Sequence, residues 1–344
     1  MSKTSRVAIL SFAHYHANFW AEAFKASSTT DLVAIWDDDH ARGREAAQRF
    51  GVGFEPDLKQ TLLTCDAVAI CSTTMQHPEL VELAAAAGKA VLCEKPIAAD
   101  LAGADRIAAA VARSGILYMQ SFPKRLDPVS HQLRDLITTG QLGRIHLVRI
   151  RHGHGYGLQD DFRGRWYVDP RLAGGGALLD EGVHGADLLN WLFGLPDSVI
   201  ATTSRATLQL EVEDSGLAVF SYGGGMTAEL VSSFAFTAAD SSIEMYGTQG
   251  TVLVSGVDLA SRDITSTGFL RSYREGGGEK AWRLHDVVPQ FKIGQFHHQN
   301  ALTFGHCLAT GVPPPASVAE GRAALLMILK AYAAAGSDQR QKIT

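Results

Sequence analysis

Long hydrophobic segments are missing from this sequence. Apolar runs such as Leu83 to Ala87 are far shorter than the roughly 20 residues that a helix needs to cross a bilayer. The start of the chain, Met1 to Arg6, is polar and lacks the apolar stretch of a signal peptide. We therefore expect a cytoplasmic protein with no membrane partner.

A concentration of positive charge is also missing. The chain has 31 Lys and Arg residues against 36 Asp and Glu residues, a formal net charge of −5, and its basic residues form no long run. Proteins that bind nucleic acid usually carry a basic patch or stripe. We therefore expect no nucleic-acid partner.

Metal-binding signatures are missing as well. The four cysteines show no CxxC spacing, which suggests reduced thiols, and no HExxH motif occurs. Close-spaced histidine pairs do occur, at His14 and His16, at His152 and His154, and at His297 and His298. Contacts with substrate hydroxyls explain His152 and His154 better than a metal does. We therefore predict no metal ion.

The first third of the chain has the pattern of an α/β domain. Up to about Pro123, short apolar runs alternate with segments of helical periodicity, which is typical of βαβ units and a parallel sheet. We predict a doubly wound, dinucleotide-binding Rossmann domain over residues 1–123. Its strands are predicted at Val7 to Leu10, Leu32 to Trp36, Val68 to Cys71, Ala90 to Cys93 and Ile116 to Gln120.

The pattern changes after Pro123. A strong helix is predicted from Ala177 to Phe193, and residues 197–254 alternate strands with turns, including a turn at Gly223 to Gly225. We therefore predict a second, α+β domain over residues 124–344 with a mainly antiparallel sheet. At 344 residues, two domains are the default expectation.

The loop after the first strand lacks the three glycines of a dinucleotide fingerprint. Ser11, Phe12, Ala13 and His14 begin that loop, and the methyl group of Ala13 hinders a close approach of pyrophosphate. The next helix still offers its N-terminal amides to an anion, and His14 or His16 could donate to a phosphate oxygen. Alternatively, these histidines only pack against the neighbouring domain.

Polar residues also follow the next strands. Asp37 ends the second strand, where an acidic residue binds the adenosine ribose, and two further aspartates beside it would repel a 2′-phosphate. This favours NAD over NADP, although an acidic helix N-terminus gives the same pattern. Ser72, Thr73 and Thr74 follow a later strand and could line the cofactor.

A lysine and an acidic neighbour stand at the end of a buried strand. Glu94, Lys95 and Pro96 follow the apolar segment Ala90 to Cys93 directly. A surface turn is the alternative, but charged side chains at such a position favour a functional role.

A second motif runs from Gly174 to Asp187. On a helix, Asp180, His184 and Asp187 share one stripe, and a histidine one turn from a carboxylate suits general acid and base chemistry. Gly182 and Gly185 weaken the helix, which suggests that a ligand or another backbone lies close.

With these motifs in this order, the chain resembles the Gfo/Idh/MocA oxidoreductases over nearly its whole length. Further landmarks are His77, the segment Arg125 to Pro128, and Trp166 to Asp169. The resemblance implies an open second sheet and a homodimer or homotetramer. It implies cofactor contacts for His77, Glu94, Lys95 and Arg125, and substrate contacts for Lys95, His152, His154, Trp166, Asp180 and His184.

The resemblance also implies a reaction. Family members transfer a hydride between NAD or NADP and a ring carbon of a sugar, sugar derivative or cyclitol. Lys95, Asp180 and His184 match the catalytic set, and the bond before Pro96 is expected to be cis. The alternatives are an NAD-dependent glycosidase, a catalytically silent sugar or dinucleotide sensor, and a reductase of a non-sugar substrate.

Overall fold

The computed structural model describes residues 4–257, 265–275 and 281–344. The chain divides into two compact units, one built from the residues up to 123 together with 295–322, and the other from 124–294 together with 323–344. Within the described ranges, no helix combines the length and the apolarity that a membrane crossing requires.

The first unit is built on a six-stranded parallel sheet. Its order is β3-β2-β1-β4-β5-β6, which confirms the predicted doubly wound Rossmann topology. The strands are β1 (Ser5–Leu10), β2 (Thr30–Trp36), β3 (Gly53–Phe54), β4 (Ala67–Ile70), β5 (Ala90–Cys93) and β6 (Tyr118–Gln120). The central strands are apolar and fully buried, as expected for a sheet that is covered on both faces. The two-residue strand β3 is too short to give a sequence signal.

Helices connect these strands. They are α1 (His16–Ala26), α2 (His40–Phe50), α3 (Leu58–Thr64), α4 (His77–Ala86) and α5 (Leu101–Ser114). Asp39, Asp57 and Asp100 cap α2, α3 and α5 by accepting backbone N–H bonds.

The second unit contains a nine-stranded mixed sheet. Its strands are β7 (Ile145–Arg151), β8 (Ser198–Ser204), β9 (Ser215–Ser221), β10 (Thr227–Ser233), β11 (Ile243–Gly247), β12 (Gly250–Val254), β13 (Leu270–Arg274), β14 (Arg283–His285) and β15 (Gln341–Lys342). The order is β14-β13-β12-β11-β7-β10-β9-β8-β15, in which β7 and β10 are parallel and the other pairs antiparallel. This confirms the predicted mainly antiparallel sheet.

The helices of the second half of the chain are α6 (Pro128–Thr138), α7 (Pro170–Ala173), α8 (Val183–Phe193), α9 (His298–Thr310) and α10 (Val318–Ser337). Residues 295–322 belong to the first unit, although the sequence analysis assigns them to the second domain. The reason is that α9 packs against α1, β1 and β5. Such long-range packing leaves no local sequence signal.

The motif from Gly174 to Asp187 does not form one regular α-helix. Residues Leu178–Gly182 form a π-helical turn, and α8 starts at Val183, so the prediction of a single helix from Ala177 is wrong at its first turn. π-turns of this kind often occur at functional sites. A Cβ atom at Gly185 would lie 2.4 Å from the Leu230 side chain, so this glycine lets α8 pack closely on β10. The close neighbour at Gly185 is thus a side chain rather than a ligand or backbone.

Candidate active site

Internal hydrogen bonds hold the loop between β1 and α1. Ser11 has a φ of 72°, the left-handed conformation that glycine adopts at low cost. Its Oγ accepts a bond of 3.1 Å from the Ala13 amide, and the Asp37 carboxylate accepts one of 2.8 Å from the Phe12 amide. The serine hydroxyl and the aspartate therefore stabilise a turn that glycines form in the usual fingerprint.

The next amides of this loop also donate within the protein. The His14 N–H donates to the Cys71 carbonyl at 2.9 Å, and the His16 N–H donates to His14 Nδ1 at 3.3 Å. These amides are therefore not arranged as a pyrophosphate cradle. The cofactor contacts of Ser11, Phe12, Ala13 and His14 stay predictions. Because these amides already donate within the protein, other groups would have to donate the hydrogen bonds to the cofactor phosphates.

Asp37 is buried beneath an arginine that the sequence analysis did not consider. The Arg42 guanidinium lies 2.6 Å from Asp37 Oδ1, and the Asp37 side chain has no exposed surface. Asp38, the next residue, keeps 43% of its side chain exposed. Arg42 stands one turn into α2, five residues after Asp37, and this spacing was the available sequence signal.

The segment after β4 is buried at the carboxyl edge of the first sheet. Ser72, Thr73 and Thr74 are all buried there, and the Thr73 and Ser72 hydroxyls donate within the segment. His77 Nδ1 lies 2.9 Å from the Pro96 carbonyl, so it is the donor nitrogen, and Nε2 has no hydrogen-bond partner among the described residues. Burial lowers the pKa of His77, which keeps the ring neutral.

A neutral acceptor such as His77 Nε2 suits a ligand that carries N–H or O–H donors. In doubly wound sheets, dinucleotides bind at the carboxyl edge, where this nitrogen and the half-exposed Asp38 carboxylate both lie. The residues at this edge therefore fit a nicotinamide dinucleotide, apart from the bonded amides of the first loop.

Glu94 and Lys95 are almost fully buried at the end of β5, with 1% and 2% of their surface exposed. Glu94 Oε1 accepts a bond of 2.8 Å from the Lys95 N–H, and Oε2 lies 3.0 Å from His16 Nδ1. The Lys95–Pro96 bond is cis, which confirms the expectation from the resemblance. A buried ammonium group is costly, so its presence here favours a functional role over a surface turn.

Three imidazole rings pack together beside this pair in the first unit. The His16 and His297 rings stack with centroids 3.5 Å apart, and the His14 ring lies 4.0 Å from the His16 ring. Burial lowers the pKa of all three histidines well below the ordinary value. Their rings are therefore neutral at pH 7. The sequence analysis did not connect His297 with the first loop, because they lie far apart in the chain.

In the second unit, the structure brings four predicted residues together. Asp180 lies on the π-helical turn and His184 on the first turn of α8. The His152 ring lies 5.0 Å from the His184 ring at an angle of 66°. Both rings are buried, and His154 follows His152 on the segment after β7. The structure therefore groups the residues of this unit that were predicted to contact substrate or to act as acid and base.

Glu181 joins this cluster although the sequence analysis did not select it. Its carboxylate lies 3.3 Å from His152 Nε2 and 3.7 Å from His154 Nε2. Burial lowers the pKa of the nearby Lys124, while the charge of Glu181 opposes that shift. The donor atoms of His154, Asp180 and Glu181 lie within 4.8 Å of one another. The prediction of no metal stays a prediction.

Glu213 explains the glycines that precede Asp180. Its carboxylate accepts bonds of 2.9 Å from the Gly176 and Leu178 amides and one of 2.6 Å from the Tyr332 hydroxyl. A Cβ atom at Gly176 would lie 2.0 Å from the Glu213 carbonyl oxygen. Gly176 therefore leaves room for Glu213, which anchors the turn that carries Asp180.

The two remaining predicted residues lie elsewhere in the second unit. Arg125 is buried and paired with Asp187 at 2.8 Å, so its guanidinium already has an ionic partner in the protein. Trp166 lines a cavity of about 460 Å³ together with Arg163 and Arg171. Of the described residues that line this cavity, Trp166 alone was predicted to contact substrate.

The fold and the site define a class of protein. The family model described as "Oxidoreductase family, NAD-binding Rossmann fold" matches residues 6–122, and the model described as "GFO/IDH/MocA C-terminal domain" matches residues 130–253. The chain is therefore an oxidoreductase with an NAD-binding Rossmann domain. It belongs to the Gfo/Idh/MocA family, as the sequence motifs indicated.

Named relatives extend over most of the chain. A 1,5-anhydro-D-fructose reductase from Ensifer adhaerens is 28% identical and covers 90% of this chain and 95% of its own length. A myo-inositol 2-dehydrogenase from Thermotoga maritima is 25% identical and covers 94% of this chain and 93% of its own.

Solved structures show the same fold. A levoglucosan dehydrogenase in complex with NADH and levoglucosan matches with a TM-score of 0.87 at 20% identity, covering 99% of this chain and 100% of that one. The aldose-aldose oxidoreductase from Caulobacter crescentus, complexed with glycerol, matches with a TM-score of 0.82 at 24% identity, covering 99% and 100%.

Proposed function

We propose that the protein is an NAD-dependent dehydrogenase or reductase that interconverts a secondary alcohol and a ketone on a sugar, sugar derivative or cyclitol. The observation that carries the proposal is the buried Lys95, which is 2% exposed at the carboxyl end of β5 in a chain of an NAD-binding oxidoreductase family. A buried cation at a ligand-binding edge suits the stabilisation of negative charge on a reacting oxygen.

Each catalytic side chain has a separate role in this proposal. In the oxidation direction, the buried His184 imidazole accepts the hydroxyl proton as the general base. The Lys95 ammonium stabilises the negative charge that develops on the same oxygen. Asp180, one turn before His184, orients the substrate and the imidazole. In the reduction direction, His184 returns the proton.

The cofactor of the proposal is NAD. When bound, a nicotinamide supplies the hydride acceptor for oxidation and the hydride donor for reduction. The residues proposed to hold it are at the carboxyl edge of the first sheet: the aspartates after β2, Ser72, Thr73, Thr74, His77, Glu94 and Lys95. The carboxylates after β2 disfavour the 2′-phosphate of NADP by charge repulsion.

The substrate class rests on the relatives and on the side chains of the second unit. The named relatives act on 1,5-anhydro-D-fructose and on myo-inositol, which both carry several hydroxyl groups. His152 and His154 place two further hydrogen-bonding rings near His184 and Asp180, where neighbouring hydroxyls of a polyol would be bound.

We also propose that the chain forms a homodimer or homotetramer. The family resemblance supports this proposal, because it implies an open second sheet that packs in an oligomer. Analytical ultracentrifugation tests the proposal, and a monomer at micromolar concentration would refute it.

The function is tested with a panel of monosaccharides, inositols and sugar acids, each supplied with NAD or NADP. We expect the absorbance of reduced nicotinamide to rise with at least one polyol. Lys95→Ala and His184→Asn should each lower the rate by about a hundredfold or more. The exposed Lys59 provides a matched control, since Lys59→Ala should keep the wild-type rate.

The same panel separates the rival functions. A glycosidase would release a sugar without a net change in the absorbance of reduced nicotinamide. A sensor would bind sugar or dinucleotide without turnover. A Lys95→Ala variant with full turnover would contradict the proposed mechanism.

A further inference from the structure

His152 has a protein group at each of its two ring nitrogens. Its Nε2 lies 3.3 Å from the Glu181 carboxylate, and its Nδ1 lies 3.2 Å from the Ser241 hydroxyl oxygen. The ring is buried, with 2% of its side chain exposed. Because a charged carboxylate only accepts hydrogen bonds, we assign a proton to Nε2. The second nitrogen, Nδ1, therefore decides whether the ring is neutral or charged.

Ser241 can pair with Nδ1 in both protonation states of the ring. The Ser241 Oγ also lies 3.3 Å from the Arg151 carbonyl oxygen. When the ring is neutral, the hydroxyl donates to Nδ1. When the ring is an imidazolium, Nδ1 donates to Oγ, and the hydroxyl donates its own proton to the Arg151 carbonyl. A change between the two states thus needs only the rotation of one hydroxyl group.

His154, two residues further along the chain, differs in this respect. Its Nδ1 accepts a bond of 3.2 Å from the Tyr156 amide, and an amide N–H can only donate. A proton added to this nitrogen would face the amide N–H and break the bond. The surroundings of His152 therefore accommodate a second ring proton, whereas those of His154 oppose one.

His152 is also next to the general base of the proposed function. The His152 and His184 ring centroids lie 5.0 Å apart at an angle of 66°. At this distance the two rings are in contact, so a proton can pass between them directly or through one water molecule. The Glu181 side chain is 12% exposed, so the carboxylate connects the buried His152 ring with solvent.

The charges around His152 favour a positively charged ring. Besides Glu181, the charged groups near this cluster are Asp180 on the π-helical turn, Lys124 before α6, the ion pair of Arg125 with Asp187, and Asp240 beside Ser241. The ion pair is neutral as a whole, and the charges of Lys124 and Asp180 oppose each other. Glu181 and Asp240 therefore leave a net negative charge, which stabilises an imidazolium.

We propose that His152, held between Glu181 and Ser241, takes the substrate proton from His184 during oxidation and returns it during reduction. The inference rests on the proposed function, because it continues the proton transfer of that reaction. His152, Glu181 and Ser241 act through His184, so they are positioning residues, and His184 remains the general base.

The proton follows one path in this proposal. In oxidation, the alcohol loses its O–H proton to His184 and its C–H hydride to the oxidised cofactor, and a C=O bond forms. His184 passes the proton to the neutral His152 ring and becomes neutral again. His152 is then an imidazolium beside Glu181, and it releases the proton to solvent before the next turnover.

The first test measures the pH dependence of kcat/KM for polyol oxidation by the full-length protein at saturating NAD. Oxidation needs the histidine pair without the extra proton, so kcat/KM rises with pH. Glu181→Gln removes the charge that stabilises the imidazolium, and we expect the midpoint of this rise to move to lower pH by about one unit and the plateau to fall about tenfold.

Matched variants separate charge from shape in this test. Glu181→Asp keeps the charge and should keep the midpoint of the wild type. His154→Gln should raise KM without moving the midpoint. Glu79, exposed on the first turn of α4, provides the control, since Glu79→Gln should leave the whole profile unchanged.

A second test needs no substrate. Side-chain NMR of the full-length protein with labelled histidines follows each ring through a pH titration, and the signal that is missing in His152→Gln identifies His152. We expect this ring to change its protonation state between about pH 5 and pH 8 in the wild type, and at a pH about one unit lower in Glu181→Gln.

Two results would overturn the proposal. One is the same midpoint of kcat/KM in the wild type and in Glu181→Gln. The other is a His152 ring that keeps one protonation state over this range, or that titrates identically in Glu181→Gln. If Glu181→Gln does not fold, Ser241→Ala replaces it, because it removes the acceptor of the charged ring and should also lower both midpoints. If no polyol is oxidised, the proposed function fails, and the NMR titration still decides whether His152 takes up a proton beside Glu181.

Discussion

Arg125 and Asp187 form a bidentate ion pair inside the second unit. Arg125 Nε lies 2.9 Å from Asp187 Oδ2, Nη2 lies 2.8 Å from Oδ1, and the two side chains are 5% and 1% exposed. Asp187 belongs to the same motif as His184, and Arg125 belongs to the segment that precedes α6. The pair thus joins two parts of the second unit that lie about sixty residues apart in sequence.

Removal of one partner should destabilise the second unit strongly. Asp187→Ala leaves a buried guanidinium without its counter-charge, and we expect a loss of about 3–5 kcal/mol in the free energy of unfolding, measured by urea denaturation. The exposed pair of Arg165 and Asp161 is the control, since Asp161→Ala should lower the free energy of unfolding far less. Equal losses in the two variants would contradict the structural role of the buried pair.

Gly176 should tolerate no side chain. In Gly176→Ala, the new methyl group meets the Glu213 carbonyl oxygen at 2.0 Å, so the backbone must shift. We expect a loss of roughly 2–3 kcal/mol in the free energy of unfolding, together with reduced turnover, because the turn that carries Asp180 moves. Gly164→Ala is the matched control, since among the described residues, apart from its chain neighbours, no heavy atom lies within 4 Å of its added Cβ. A Gly176→Ala variant with wild-type stability would refute this packing.

The stability of the cofactor-free protein should fall as the solution becomes acidic. His14, His16 and His297 have folded-state pKa values well below the ordinary value because they are buried. Below the unfolded-state pKa of about 6.5, the unfolded chain binds protons that the folded chain does not. The free energy of unfolding should therefore decrease from pH 7 to pH 5, by up to about 4 kcal/mol per pH unit when all three histidines contribute.

Urea denaturation at a series of pH values checks this dependence. Replacing His297 by Gln should reduce the slope by about a third, because one of three protons is removed from the linkage. Replacing the exposed His306 by Gln should leave the slope unchanged. A free energy of unfolding that stays constant between pH 7 and pH 5 would contradict the neutral, buried state of the cluster.

Chelation should leave the activity unchanged. His154 Nδ1 accepts a bond of 3.2 Å from the Tyr156 amide, and its Nε2 lies 3.7 Å from the Glu181 carboxylate. The histidine nitrogens and Lys124 offer the Glu181 carboxylate partners within the protein, and for this reason we predict that no metal is needed there. We expect the same turnover after dialysis against a strong chelator. Loss of activity that zinc restores would refute the prediction of no metal.

Local patterns in the sequence were sufficient for the main elements of the fold. Apolar runs such as Ala90 to Cys93 have strand character whatever their neighbours are, and their alternation with helices implies the parallel sheet. The Glu94-Lys95-Pro96 motif follows such a strand directly, so its position at the carboxyl edge could be predicted. The motif from Gly174 to Asp187 could be found from a different local pattern, the helical spacing of Asp180, His184 and Asp187.

Long-range contacts could not be read from the sequence. Arg42 covers Asp37 only because α2 folds back over the end of β2, and the spacing of the two residues does not by itself specify that ion pair. His297 meets His16 through the packing of α9 on α1. Glu181 was available beside Asp180, but the assumption of a regular α-helix placed it off the functional stripe, and the π-helical turn brings it to the histidines.

The central claim is that the protein transfers a hydride directly between a polyol carbon and a nicotinamide. The most direct measurement uses the polyol that the panel identifies, deuterated at its reacting carbon, with NAD and the wild-type protein, followed by mass spectrometry of the cofactor. We predict that the reduced cofactor carries the deuterium and that Lys95→Ala and His184→Asn form almost none of it. Reduced cofactor without deuterium, or full label transfer by the Lys95→Ala variant, would contradict the account.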